Sequence, residues 1–215
     1  MERQDANRLS CVWIPEEQSV KLFRVPAPAE YLRKFSRGHC SEIRDLYIYI
    51  LPGMEDHPEG LPLAFQMALS EVLRGLWIRP WMRYLDGSED VPTAICDWSY
   101  RKIPDGSLLV GVGIGGTVAC GLQDHVKDLL VYAVNSPVQT EGYEVHPAAL
   151  PGQRVVFFNS MNPNLYGVQD WRGKCDVALD LPFLNSEILP DLPLLASLIG
   201  YSLMGRDLHE VLQFL

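Results

Sequence analysis

Leu108-Leu-Val-Gly-Val-Gly-Ile-Gly-Gly116 joins a short apolar run to four glycines within six residues. The apolar residues alternate through this stretch, as they do in a β-strand. Gly115-Gly116 is typical of the tight turn that joins two antiparallel strands. The pattern therefore favours a β-hairpin in which residues 117–122 form the returning strand and the earlier glycines allow close packing on one face.

The same residues also match the spacing G-x-G-x-x-G at Gly111, Gly113 and Gly116. In a dinucleotide-binding loop these glycines let backbone N–H groups approach a pyrophosphate at a helix N-terminus. Two features argue against such a loop. A further glycine, Gly121, stands where the helix would run. The motif also requires an acidic residue at the end of a second strand about 20 residues further on, and the nearest one, Glu141, lies in a Pro/Gly-rich loop. The sequence therefore predicts no cofactor, and a glycine-rich nucleotide loop is the alternative. The sequence also contains no G-x-S-x-G motif, the pattern that carries the nucleophilic serine of α/β hydrolases.

In the rest of the chain, the predicted strands and helices alternate less regularly than a βαβ protein requires. We predict a central strand at 46–51, a mostly buried helix at 61–78, and a helix from Asp124 to about Val134. Further strands are predicted at 94–100, 154–159 and 175–181, and two helices at 194–204 and 207–215 close the chain. The resulting fold class is α+β: one domain, 1–215, with a mostly antiparallel mixed sheet packed by a buried central helix and two C-terminal helices.

Composition limits the classes of partner and the compartment. Eighteen Lys and Arg face 27 Asp and Glu, which gives a net charge of −9 and makes nucleic-acid binding an unfavourable interpretation. No run of about 18 apolar residues predicts a membrane span. The five cysteines are scattered and none has C-x-x-C spacing, so the sequence predicts no metal site and favours a reducing, cytoplasmic location.

Candidate catalytic residues are few and far apart in the sequence. Cys40 lies among basic residues that would lower the pKa of a thiol and make it a nucleophile. A histidine that activates such a thiol comes from elsewhere in the chain, and His125 and His146 are the candidates for that role. These residues leave the question of whether the chain is an enzyme undecided.

Aromatic, basic and acidic residues crowd into the segment 77–90. Trp, Tyr and Arg are enriched at interaction hot spots, and the adjacent acidic residues would attract a basic surface. The candidate binding residues are Trp77, Arg79, Trp81, Arg83, Tyr84, Asp86, Glu89 and Asp90.

Two classes of function follow from these patterns. The first is a non-catalytic inhibitor, adaptor or complex subunit that docks its acidic, aromatic-rich surface on a partner protein with a basic surface. The alternative is a small enzyme or small-molecule-binding protein whose site is assembled from loops, with either a Cys/His nucleophile or the glycine-rich loop. Self-association is left open by the sequence.

Overall fold

The computed structural model describes residues 44–51, 53, 60–73, 78–84, 90–147, 153–160, 171–182, 184 and 191–213. The strands are β1 (Arg44–Leu51), β2 (Ile78–Tyr84), β3 (Leu108–Val112), β4 (Leu130–Val134), β5 (Gln139–Thr140), β6 (Tyr143–Glu144), β7 (Arg154–Ser160) and β8 (Val177–Leu181). The helices are α1 (Gly60–Leu73), α2 (Val91–Ser99), α3 (Ile114–Gly121), α4 (Leu192–Leu203) and α5 (Leu208–Leu212), and a 3₁₀ turn follows α3 at Leu122–Asp124.

Six strands form one sheet in the order β2-β1-β3-β4-β7-β8. The pairings β1 with β3, β3 with β4, β4 with β7 and β7 with β8 are all parallel. The prediction of a mostly antiparallel mixed sheet is therefore wrong. The short β5–β6 hairpin is antiparallel and forms a separate two-stranded sheet.

The central strands are apolar on both sides because both faces of the sheet are buried. Every residue of β3 is buried, and parallel sheets show such continuous apolar runs rather than alternation. One face joins α2 and α3 in a single core with the sheet residues Tyr49, Leu51, Leu109, Val131, Ala133, Val155 and Phe157. The register places Leu51, Gly111, Ala133 and Phe157 side by side in one row of that face.

The chain divides into two compact units, one containing residues 46–63 and 81–188 and the other residues 64–80 and 189–215 with the N-terminal 45 residues. In the second unit α1 buries Phe65, Leu69 and Val72, while Met67 is exposed. Two C-terminal helices are present as predicted, although α5 is shorter than expected. No helix among the described residues is long and apolar enough to cross a bilayer. The assignment of 1–215 to one domain stays a prediction.

Two further local predictions are wrong. Residues 94–100, predicted as a strand, form the C-terminal part of α2 and its C-cap, Tyr100; this helix begins after an Asp90 cap and has proline in its first turn. The helix predicted from Asp124 is replaced by a turn and β4, because buried residues at helical spacing, such as Val126 and Leu129, also fit a turn followed by a strand buried on both faces. These two errors concealed the alternation of strand and helix.

Asp90 gives a test of the cap of α2 that depends on pH. Its carboxylate accepts hydrogen bonds from the backbone N–H and the hydroxyl of Thr93, both at 2.8 Å, and these bonds lower the pKa of Asp90. A carboxyl group whose pKa is lowered by folding stabilises the protein above its unfolded pKa, and this contribution is lost as the pH falls through the folded pKa. We expect Asp90→Ala to lower the urea midpoint at neutral pH and to differ less from the wild type in acid. Asp97→Ala, on the exposed side of the same helix, is the control; a difference for Asp90→Ala that does not change with pH would contradict the assignment.

Candidate functional site

A sharp turn joins β3 to α3 at Gly113, and this turn replaces the predicted hairpin. Gly113 has φ 54° and ψ −129°, a combination that is strained for residues with a Cβ atom but that glycine adopts without steric cost. Gly115-Gly116, interpreted as a hairpin turn, lies in the first turn of α3. The helix therefore starts directly above the carboxyl end of a central strand.

Two glycines allow α3 to pack against the sheet at van der Waals distance. A Cβ atom on Gly111 would lie 2.4 Å from the backbone of Gly115 and Gly116, and one on Gly116 would lie 1.9 Å from the hydroxyl oxygen of Ser136. The first clash is with helix backbone, and the second is with the short side chains of Ser136 and Ala133, whose Cβ atoms cannot rotate away. Glycine is therefore required at both positions. The spacing that suggested a nucleotide loop therefore serves first to seat the helix.

Hydrogen bonds connect the carboxyl ends of neighbouring strands in an orderly series. The N–H of Gly113 donates to the carbonyl of Val134, and the N–H of Asn135 donates to the carbonyl of Phe158, each at 2.9 Å. The N–H of Ser160 donates to the side-chain oxygen of Asn135 at 2.7 Å. This series fixes the turn at Gly113 relative to the ends of β4 and β7.

The N-terminus of α3 presents backbone donors at this edge of the sheet. The N–H of Gly116 donates to the carbonyl of Gly113 at 3.0 Å. Ile114 and Gly115 also lie in the first turn, where N–H groups have no acceptor within the helix. Such donors, together with the positive end of the helix dipole, favour an oxygen that carries negative charge.

The structure does not fit a dinucleotide at the glycine-rich loop. The strand–turn–helix arrangement of that alternative is present, but the next parallel strand, β4, is followed by Asn135 rather than by an acidic residue that could bind a ribose. Within the described part of the chain, no group of three or more His, Cys, Asp or Glu side chains could hold a metal ion.

His125 and His146 lie away from the turn at Gly113. His125 follows the 3₁₀ turn at the other end of α3, and eight helical residues span about 12 Å. The Nε2 atom of His146 lies 2.9 Å from Asp124 Oδ2, so His146 is also placed at that end, with both side chains nearly half exposed. The structure thus brings neither predicted histidine to the carboxyl edge of the sheet.

Two of the described cysteines, Cys120 and Cys175, are poor nucleophiles. Cys120 is buried and its pKa is raised by that burial, and burial together with Asp176 raises the pKa of Cys175 to about 11. Both groups are therefore thiols at neutral pH, and the thiolate is the reactive form. Cys40 lies outside the described residues, so its candidacy stays a prediction.

The predicted binding segment is only partly described. Trp81 on β2 is 49% exposed and stacks on Tyr47, with ring centroids 6.4 Å apart, and Arg83 is exposed on the same strand. Asp90 is accounted for by the cap of α2. Arg79 and Tyr84 belong to β2, whereas Trp77, Asp86 and Glu89 lie outside the described residues. Binding by these residues stays a prediction.

Comparison with known proteins finds similarity in structure but not in sequence. No protein-family model matches the chain, and no curated protein sequence is significantly similar to it. A protein of Xanthomonas campestris pv. campestris assigned to the alpha/beta hydrolase superfamily is similar in structure, with a TM-score of 0.50 and 15% identity over 73% of this chain and 98% of that one. The esterase domain of a Rhodothermus marinus protein is similar with a TM-score of 0.50 and 12% identity over 74% of this chain and 86% of that one. The chain therefore has an α/β-hydrolase-like fold.

This likeness corrects the functional prediction as well as the fold class. A non-catalytic inhibitor, adaptor or complex subunit that docks an acidic, aromatic-rich surface is contradicted by neighbours that are a hydrolase and an esterase. The alternative, an enzyme or small-molecule-binding protein with a site assembled from loops, agrees better with them.

The sequence identifies Gly113 as a candidate in a dinucleotide-binding loop but favours a β-hairpin there, and so misses the turn between a strand and a helix. In α/β hydrolases a G-x-S-x-G motif places the nucleophilic serine at a strained turn between a strand and a helix. Here Gly111-Val-Gly-Ile-Gly115 forms a sharp turn between a strand and a helix, with a glycine at its centre. A search for the glycine spacing with a free central residue would have found it.

Proposed function

We propose that this chain binds a small carboxylate or carbonyl compound at the turn formed by Gly113, without forming a covalent bond there. The observation that carries the proposal is the turn itself: φ 54° and ψ −129° at Gly113, directly before the N-terminus of α3. The geometry is that of a hydrolase elbow, and the residue at its centre has no side chain. A ligand oxygen can therefore take the place that a serine side chain would fill.

The topology of the sheet supports the same location. In the sheet β1 lies between β2 and β3. The strand that follows β1 in the sequence is therefore added on one side of β1, and the next strand is added on the other side. In open α/β sheets, ligands bind outside the carboxyl ends of the strands at such a change of direction. Gly113 follows β3, one of the two strands at this point.

The chemistry of the donors suggests the class of ligand. The first-turn N–H groups of Ile114 and Gly115 and the helix dipole would stabilise a partial or full negative charge on a ligand oxygen. No acidic side chain lies in the first turn of α3 to oppose such a ligand. A covalent acyl intermediate cannot form at Gly113, since glycine supplies no nucleophilic atom.

The first experiment is a titration of the ¹⁵N-labelled chain with butyrate and, separately, with uncharged butyramide. We expect butyrate to shift the amide signals of Gly113, Ile114 and Gly115 selectively, and butyramide to shift them less, because the helix dipole favours negative charge. Absence of any change at these signals, or changes spread over the surface, would contradict the proposal.

Two variants and a turnover assay sharpen this test. Gly113→Ala places a methyl group where the ligand oxygen is expected and should abolish the butyrate shifts, whereas Gly173→Ala changes a glycine with similar φ in open space and should retain them. The wild-type chain should neither release p-nitrophenol from p-nitrophenyl acetate in a burst nor become labelled by a fluorophosphonate. Labelling at any residue would show covalent catalysis and contradict the noncovalent mechanism.

We propose a cytoplasmic location for the chain. The observation that supports it is the presence of free thiols at Cys96, Cys120 and Cys175, which suit a reducing compartment. The partner protein with a basic surface stays a prediction of the sequence.

A further inference from the structure

We infer that Asn135 is a positioning residue for the binding site at Gly113: it holds the carboxyl end of β7 beside the turn and so sets the width of the edge at which the ligand binds. This inference rests on the proposed function. Asn135 was not among the candidate residues of the sequence. It lies directly after β4, between the strand that leads into the turn at Gly113 and the strand that ends at Ser160.

Asn135 has an unusual backbone conformation that its side chain explains. Its φ is 47°, which places it in the left-handed region that residues with a Cβ atom seldom occupy. Asparagine tolerates this region better than most residues because its short polar side chain can form local hydrogen bonds. Backbone conformations of this kind persist where the surrounding contacts hold them.

The contacts of Asn135 join β4 to β7 at two consecutive points. The N–H of Asn135 donates to the carbonyl of Phe158 at 2.9 Å, and the side-chain oxygen of Asn135 accepts from the N–H of Ser160 at 2.7 Å. Because Asn135 is only 5% exposed, the second bond is shielded from water. The side chain thus extends the pairing of the two strands beyond the point where β4 has ended.

The position of Asn135 also couples this contact to the proposed binding turn. The residue immediately before it, Val134, accepts the hydrogen bond from the N–H of Gly113. The residue immediately after it, Ser136, lies against Gly116 in the first turn of α3. Ser160 in turn donates its hydroxyl hydrogen to the carbonyl of Leu184. Asn135 is therefore the central residue in a series of contacts that connects the carboxyl ends of β3, β4 and β7 with Leu184, which follows β8.

The test compares Asn135→Gly with Asn135→Asp. Glycine accommodates φ 47° but removes the acceptor for the Ser160 N–H, whereas aspartate retains an acceptor oxygen. Without any ligand, we expect Asn135→Gly to accelerate hydrogen exchange at Ser160 by at least about tenfold, the effect of losing one buried hydrogen bond, and to shift the amide signal of Gly113. Aspartate should restore both. Asn159 lies next to Ser160 on β7 and donates an exposed hydrogen bond to Asp180 on β8. Asn159→Ala removes that bond and should change neither the exchange rate at Ser160 nor the amide signal of Gly113.

Affinity for butyrate provides the second readout. We expect Asn135→Gly to weaken binding by about tenfold at a temperature where the variant is fully folded, and Asn135→Asp to restore it. A uniform rise of exchange throughout the sheet, or equal behaviour of the two variants, would overturn the positioning role. If the wild type does not bind butyrate, the proposed function fails, and the exchange measurement still decides whether Asn135 holds the edge.

Discussion

Gly111→Ala should lower the free energy of unfolding by about 3 kcal/mol, at the upper end of what overpacking costs, and abolish butyrate binding. The methyl group would lie 2.4 Å from the carbonyl oxygen of Gly115 and from the N and Cα atoms of Gly116. These are backbone atoms of α3, so no side-chain rotation can relieve the clash. The whole start of the helix must move away from β3, and the turn at Gly113 moves with it.

The measurement is urea-induced unfolding of the full chain, with the butyrate titration performed on the folded variant. Gly173→Ala is the matched control, because Gly173 has φ 73° and nothing within 4 Å of the added methyl group. That variant should cost roughly 1 kcal/mol from backbone strain and retain butyrate binding. If Gly111→Ala is no less stable than this control, the close seating of α3 on the sheet is wrong.

The sequence predicted the long or strongly patterned elements well. The strands at 154–159 and 175–181 and the two C-terminal helices lie within a few residues of their observed bounds. The first helix was placed correctly at its start, but the structure ends it at Leu73, and Ile78 already belongs to β2. In each case the signal comes from local hydrophobic periodicity, which the structure preserves.

The parallel fold could not be predicted because α2 and α3 carry atypical signals. α3 contains three glycines and β-branched residues, which favour turns and strands, yet all its residues from Gly115 to Gly121 are buried. A helix so short and so rich in glycine is stable through packing against the sheet rather than through intrinsic propensity. Long-range contacts therefore determine this part of the fold.

The candidate site was hidden for a related reason. A serine or cysteine at the centre of the glycine motif would have identified the turn, but Gly113 removes the chemical signal and retains the backbone shape. Glycine also relieves the strain that a nucleophilic residue experiences at such a turn. The conformation of Gly113 therefore costs little free energy here.

Trp171→Ala should be the most destabilising single replacement of an aromatic residue in the described part of the chain, at about 3–5 kcal/mol, the usual cost of removing a large buried ring. Trp171 is 2% exposed and stacks on Phe157, with ring centroids 4.0 Å apart and planes inclined by 19°. Its indole N–H donates to the carbonyl of Ser136 at 3.1 Å. Because Ser136 lies against the first turn of α3, loss of the ring should also broaden or shift the amide signals of Gly115 and Gly116.

Two further variants separate the contributions of the ring and the hydrogen bond. Trp171→Phe keeps an aromatic ring on Phe157 but leaves the buried carbonyl of Ser136 without this donor, so we expect a loss of about 1–3 kcal/mol. Trp81→Ala removes an equally large ring that is 49% exposed and stacked on Tyr47, and should cost at most about 1 kcal/mol. Urea unfolding of the three variants measures the order. Equal losses for Trp81→Ala and Trp171→Ala would contradict the burial of Trp171 against Phe157, and with it the contact by which Trp171 supports Ser136 and the start of α3.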